Sequence, residues 1–525
     1  MRKAITICVL VVLGALPALV FVHGIRWRSA SIDKYDAIDR PARIYPDYSS
    51  TVIPPKIAPL NFTVQEKGLS YLAKIYSEKG EAIEISSRSG KILIPENSWH
   101  KLLETNRGGE LHFDIFVRTE NRKWNRFSTI TSKIANDDMD NFLVYRRMHP
   151  TYLQTRGRVG IFQRDLRNFD EKVVIDNSHY RDSSGCFNCH TFCGNSPEKV
   201  LIGVRTNVEK DSTLLIEGDT VKKLGAKFGY TTWHPSGRVA AYAIINQLLF
   251  FHTANNEMRD AIERDSLIVY YIFDNKAVTT SPGISRKDYL ETWPTWSADG
   301  KYLYFCSALM PWPQHTEVLP PDYNELKYDL SRISYDVESD KWGEVETVVS
   351  AKNTGLSVAM PRTSPDGRWL IFCMSEYGSF APFQPSSDLY MIDLKSAGET
   401  GLYEYKRLEI NSDKSEAWHC WSSNSRWIVF SSKRDNDIFT RSYISYVDET
   451  GKVSKPLVIP QKDPEYYDYC LEMFTTPELI TGPLKITGQR LARVIRNSAP
   501  TGVNMPTAIT MATPRVDGVS EKGRE

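Results

Sequence analysis

Thr363-Ser364-Pro365-Asp366-Gly367-Arg368-Trp369-Leu370-Ile371-Phe372 is the stretch whose reading decides the fold. Asp-Gly makes a tight turn, because glycine accepts the left-handed backbone that such a turn requires. The basic residue after it opens a short strand of large apolar side chains. The same unit stands upstream at Trp233-His234-Pro235-Ser236-Gly237-Arg238 and Trp296-Ser297-Ala298-Asp299-Gly300-Lys301, and downstream at Trp421-Ser422-Ser423-Asn424-Ser425-Arg426. Tyr302-Leu303-Tyr304-Phe305 and Trp427-Ile428-Val429-Phe430 repeat the apolar strand, and a second strand then ends on Asp274, Asp336, Asp393 or Asp448. Turn positions 237, 300, 367 and 425 lie 63, 67 and 58 residues apart. That is longer than the ~40–50 residues of common propeller repeats, so blades with loop insertions are expected.

Working outward, Cys189-His190-Thr191-Phe192 followed by Lys199-Val200-Leu201-Ile202 reads as a fifth copy, with its motif laid over the turn. Val159-Gly160-Ile161-Phe162, within residues 142–169, marks another blade. We expect a β-propeller over residues 141–486, of five to seven blades with six favoured, in which a loop at 176–195 replaces one inner-strand turn. Upstream, Leu111, Phe113, Ile115 and Val117 share one strand face, as do Tyr71, Ala73 and Ile75. This alternation predicts a small antiparallel β-sandwich over 60–140. Residues 25–59 read as a proline-rich linker, since Pro41, Pro46, Pro54, Pro55 and Pro59 disfavour regular structure. The polar segment 487–525 reads as a flexible tail. The fold class is all-β.

The SPDGRWLIF and SADGKYLYF strings resemble the WD40-like repeats of TolB-type β-propellers, over roughly residues 190–450. WHCWSSNSRWIVFSSKR and KDPEYYDYC, taken with the CFNCH site, are similar to a group of exported bacterial propeller proteins that carry a haem-c motif. The resemblance implies the fold and the cofactor and says little about activity.

The charge balance of 65 basic against 64 acidic residues gives no electrostatic case for nucleic acid. Arg2 and Lys3 precede an apolar run from Ala4 to Val22, the layout of an export signal. Residues 1–24 are therefore expected to be a signal peptide or an inner-membrane anchor. Cys8 lies inside the apolar run. The expected location is the periplasmic side of a bacterial inner membrane.

Of eight cysteines, Cys186, Cys189 and Cys193 fall within eight positions. Cys186-Phe187-Asn188-Cys189-His190 matches C-x-x-C-H, the attachment motif of haem c. Two thiols three apart reach the two vinyl groups of one porphyrin, and the adjacent histidine becomes an axial iron ligand. Two rival readings stay open. Cys186, Cys189, His190 and Cys193 could make a Cys3His zinc site, or two of the thiols could pair as a disulfide. For a sixth iron ligand the first choice is His419 and the second His179, ahead of His149, His234, His252 and Met360. No G-x-S-x-G, H-E-x-x-H or phosphate-loop motif is present. The expected function is one-electron transfer or redox sensing by one covalent haem c, with an unidentified redox or envelope protein as partner. The alternatives are an envelope protein- or glycan-binding scaffold with a structural haem, and a haem enzyme such as a peroxidase.

Overall fold

The structure, a computed structural model, describes residues 32, 34–150, 158–179, 185–205, 211–252, 257–313, 318–396 and 403–501. The expected signal or anchor at 1–24, including Cys8, lies outside them, as does the part of the expected tail beyond residue 501.

Six four-stranded antiparallel sheets follow one another as the blades of a propeller. Blade 2 runs Cys186–Phe192, Lys199–Arg205, Ser212–Glu217 and Thr220–Leu224, from the innermost strand outward. Blade 3 begins at Gly229–Trp233, blade 4 at Tyr289–Trp296, blade 5 at Ser357–Thr363 and blade 6 at Glu416–Trp421. Blade 1 is assembled from both ends of the ring. Its outer strands Phe142–Met148, Val159–Asp165 and Glu171–Asp176 come first in the chain, and Met473–Ile480 returns to pair with Phe142–Met148 as the inner strand. Six blades, with one built from residues 142–176, agrees with the sequence reading.

The repeated turns sit between first and second strands. Gly237, Gly300 and Gly367 have φ of 68°, 74° and 71°, and Ser425 takes the same left-handed geometry at 61°. In each turn a small side chain braces the loop: Ser297 Oγ and Ser364 Oγ donate to Asp299 and Asp366. Every inner strand also carries a bulge that the repeat pattern does not announce. Cys189, Tyr230, Trp293, Met360, Trp418 and Thr476 have φ between 46° and 55°, one per blade, where the strand registers shift. The left-handed backbone costs a non-glycine residue ~1–2 kcal/mol. Because all six blades hold it, this strain belongs to the architecture. Tyr230 stacks on Trp293 with ring centroids 3.4 Å apart, and Trp293 meets Trp418, two blades away, at 5.5 Å. A contact between blades 4 and 6 has to cross the centre, so these bulge residues fill the central channel.

Blade 3 departs from the pattern. Its second and third strands, Val239–Phe251 and Arg259–Ile272, have 13 and 14 residues. The overhang crosses the channel mouth on the face where the inner strands begin. There Asp260 accepts from Tyr377 Oη at 2.7 Å, Glu257 pairs with the buried Lys433 of blade 6, and Arg259 reaches Met473 Sδ of blade 1 at 3.1 Å.

Three of the expected boundaries need correction. The proline-rich stretch 25–59 is not a linker where it is described. Asp36–Pro41 pairs with Trp124–Ser128, Val52–Ile53 pairs with Lys133–Ile134, and Ile53, Ile57, Ala58 and Leu60 are buried. The apolar residues between the prolines are core, and proline content alone hid them. The N-terminal domain therefore starts by residue 36. It joins a seven-stranded and a three-stranded sheet with the helix Glu96–Thr105, whose Trp99 is buried. It docks on blade 6, where Asp137 accepts from Tyr446 Oη at 2.6 Å and Asp140 from Ser423 Oγ at 2.6 Å. At the other end, Gly488–Asn497 of the supposed tail forms a helix capped by Thr487. Leu491, Ala492 and Ile495, spaced to share one helix face, pack it against blades 1 and 2. Three arginines masked that stripe in the composition.

Candidate functional site

The C-x-x-C-H motif forms the innermost strand of blade 2. The sequence reading set it on a turn, and the structure corrects this. The turn of blade 2 comes later, at Cys193-Gly194-Asn195, and Asn195 Nδ2 ties it to the carbonyls of Trp421 and Leu479 at 2.9 and 2.8 Å. Extended chain alternates side chains, and the bulge then redirects them. Phe187 is buried in the seam with blade 1. Cys186 begins the strand opposite Arg205, and Cys189 is the left-handed bulge residue. Both cysteines are partly exposed and neither is in a disulfide.

His190 follows the bulge and is 3% exposed. Its ring lies in the seam with blade 1, where the carbonyls of Val144 and Thr476 are the nearest acceptors, but neither ring nitrogen makes a formed hydrogen bond. Burial, reinforced by Arg146 and Arg362, pushes its pKa down to about 4, so the ring is neutral at pH 7. A buried imidazole with two unmet nitrogens is unusual, since buried polar groups are nearly always paired.

His419 occupies the equivalent place in blade 6, directly after the bulge residue Trp418. Its Nε2 is 3.1 Å from Ile371 O, and its Nδ1 is 3.8 Å from Cys373 Sγ. Burial pushes its pKa down to about 3. The ring thus packs into the seam with blade 5, while His190 packs against blade 1. The expected neighbourhood of His419 and the motif is not found. The strand Met473–Ile480 closes the ring and inserts blade 1 between blades 6 and 2. His179 is also engaged: its Nδ1 is 2.7 Å from Asp176 Oδ1, and its ring abuts Gly488 at the start of the C-terminal helix. Neither candidate is brought to His190. His234 and His252 are committed to Ser236 with Gly300 O, and to Asp260. Met360 is a buried bulge residue of blade 5.

The zinc reading fails on geometry. Cys186 and Cys193 stand seven residues apart at opposite ends of a strand, about 20 Å at the usual rise. Among the described residues no three His, Cys, Asp or Glu side chains converge as a metal-binding group. A Cys186–Cys189 disulfide would need Cα atoms within about 7 Å, against about 10 Å for three residues of extended chain. Haem c asks for something different. It needs two free thiols, which bond to the porphyrin edge, and one imidazole with an available nitrogen. The residues present fit that set.

Sequence reasoning missed the cations around the motif. Arg146 Nη2 donates to Cys186 Sγ at 3.4 Å, and Arg205 lies across the ladder from Cys186. Lys227, which precedes the inner strand of blade 3, senses both Arg205 and the Cys189 thiol. These residues come from three blades, so no local sequence signal joins them.

No protein family and no curated protein matches the chain. Among solved structures, hydrazine synthase of Kuenenia stuttgartiensis is similar over 50% of this chain and 64% of that one, at 13% identity and a TM-score of 0.28. An oligogalacturonate lyase in complex with manganese is similar over 80% and 98%, at 12% identity and a TM-score of 0.31. The oligogalacturonate lyase of Vibrio parahaemolyticus is similar over 78% and 100%, at 10% identity and a TM-score of 0.31. The chain thus spans less than two thirds of the hydrazine synthase chain. The propeller itself rests on the strand topology described above.

Proposed function

We propose that this chain is an exported TolB-like propeller that carries one c-type haem, bonded through Cys186 and Cys189 and ligated by His190, and that it transfers or senses single electrons. One observation carries the reading: C-x-x-C-H stands on the channel-lining strand with both thiols free and with neither nitrogen of the buried His190 ring hydrogen-bonded. A ring without hydrogen bonds gives up none on turning out of its seam, which ligation requires. Bound haem would supply a one-electron couple, and the chain would hold, orient and shield it. The neutral state of His190 leaves a lone pair available for a metal. Placement at the outer face of an inner membrane follows from the apolar run Ala4–Val22 and is part of the proposal. Among the described residues no helix is long and apolar enough to cross a membrane.

The test is expression with a c-haem maturation system. The wild type should keep peroxidase-active haem stain on a denaturing gel, and the double variant Cys186→Ala, Cys189→Ala should lose it. A wild type that remains colourless after co-expression with the maturation system would refute the reading.

A further inference from the structure

The overhang of blade 3 is fixed across the channel mouth by successive ties to four other blades. Glu263 accepts from Thr292 Oγ1 at 3.1 Å and from Tyr328 Oη at 3.3 Å, both from blade 4. Asp260 accepts from Tyr377 Oη and Gln384 Nε2 of blade 5, at 2.7 and 3.3 Å. Glu257 pairs with Lys433 of blade 6, and Arg259 meets Met473 of blade 1. Glu257, Asp260 and Glu263 are 8%, 2% and 1% exposed, so this arrangement buries all three carboxylates. The overhang is also set apart from its own blade. The register slips between Asn246 and Gln247, leaving Arg264 unopposed, and such a bulge bends a strand. Glu263 is the first residue of the overhang beyond it.

Glu263 differs from other buried carboxylates of the chain. Asp176 has Arg158 at 2.9 Å, Glu291 has Arg286 at 2.7 Å, Glu416 has Arg434 at 3.0 Å and Glu478 has Arg362 at 3.3 Å. Among the described residues Glu263 has no cation beside it. The titratable groups that face it are Tyr230 from blade 3, and Tyr328 and Cys306 from blade 4, and burial holds all three in their protonated forms. The same burial pushes the Glu263 carboxyl up to about 7. An unpaired charge in a buried site is unfavourable, so an ionised Glu263 favours any arrangement that returns it to water.

We propose that the overhang is a strap, hinged at the Arg264 bulge, that closes the channel mouth while Glu263 is protonated and lifts when Glu263 ionises. The motif strand begins at that mouth with Cys186, so the strap governs access to it whatever the channel holds. With the strap lifted Glu263 ionises near the ordinary 4.5, so closing binds a proton between about 4.5 and 7. Rising pH therefore favours the lifted state across that window, and the dependence ends above it. Lys433, which burial lowers to about 8, keeps its charge throughout.

Met473 tests this, because it is buried against Arg259 of the strap. Dilute hydrogen peroxide converts its thioether to the sulfoxide and is itself reduced to water, and neither reactant titrates between pH 5 and 8. The full chain, made without haem, is treated at pH 5, 6, 7 and 8, and each sulfoxide is located by mass spectrometry. Met258, exposed on the strap, reports the reagent, and Met391, buried in blade 5, reports general loosening. In wild type, oxidation of Met473 should rise at least ~tenfold from pH 5 to 7 and level off by pH 8, while Met258 and Met391 hold steady. Glu263→Gln should abolish the rise. Glu257→Gln, which removes the tie to Lys433, should raise Met473 oxidation at every pH and keep the rise. Met473 oxidation that ignores pH overturns the strap, and wild type alone decides this should a variant not fold. A rise that Glu263→Gln retains, or one that Met391 shares, overturns it as well.

Discussion

His190 and His419 hold the same place in two blades. Each follows a left-handed bulge residue on an inner strand, and each turns its ring into the seam with the preceding blade. In blade 6 the seam answers the ring, with Ile371 O at 3.1 Å and Cys373 Sγ at 3.8 Å. In blade 2 the seam leaves both nitrogens unmet. One position therefore serves two ends. His419 is a fixed part of the packing, and His190 is stored there without being bonded. A histidine beside the motif is thus a better candidate ligand for what it lacks than for where it lies.

The largest expected effect breaks this pair apart at the iron. In the haem-attached protein His190→Ala should remove the axial ligand and change the visible spectrum outright, while His419→Ala should leave the spectrum as it was. Equal spectral changes in both variants would make the two histidines alike and void the distinction.

Stability should order them the other way. His419→Ala leaves a cavity in a buried seam and takes a partner from the Ile371 carbonyl, a loss of about 3 kcal/mol. His190→Ala, measured without haem, removes a ring whose nitrogens were already unpaired and should cost less, about 1–2 kcal/mol. Urea unfolding of both variants checks this, and a larger loss at His190 would show that its seam is the better-made one.

Acid gives a third, smaller effect. The folded-state pKa of His419 is lowered to about 3, so the native protein keeps this ring neutral while the unfolded chain takes up a proton below about 6.5. Unfolding then takes up protons as pH falls, and the His419 contribution weakens progressively once pH drops below about 6.5. His419→Gln keeps a polar side chain but cannot titrate. The stability gap between wild type and His419→Gln should therefore narrow in urea melts from pH 6.5 to 4.5. Parallel pH curves would mean that the ring is protonated in place.

Much of this fold was legible because turn chemistry is local. Gly237, Gly300 and Gly367 each need a positive φ, and an Asp-Gly or Ser-Gly pair states that need in two letters. The six bulges need the same backbone but hold Cys, Tyr, Trp, Met, Trp and Thr, so nothing in their residue types declares them. The motif was legible as spacing, but its place was not. Laying the motif over the repeat turn sets His190 level with His234, three residues out of register, since its true counterpart is Thr231, the residue after the bulge Tyr230. The closing strand Met473–Ile480 carries no repeat turn and pairs with a segment more than 300 residues away, and that hid the blade between His419 and the motif. Long-range pairing also explains why the cations at Cys186 went unseen.

The smallest effect compares the turn of the motif blade with an ordinary one. Gly300 in blade 4 has φ of 74°, and a Cβ there would come within 2.3 Å of His234 Nε2 in blade 3. That ring cannot easily yield, because Ser236 holds its Nδ1 at 2.8 Å and its Nε2 lies 3.1 Å from Gly300 O. Gly300→Ala should therefore add steric strain of about 1–3 kcal/mol to the backbone cost. Gly194 in blade 2 has φ of 57°, and a Cβ there would meet nothing within 4 Å. Gly194→Ala should show only the left-handed penalty, ~1–2 kcal/mol. Thermal melts of the two variants give the difference directly. If Gly194→Ala proves the worse, the turn of the motif blade is packed as tightly as the others, and the special character of blade 2 is confined to its inner strand.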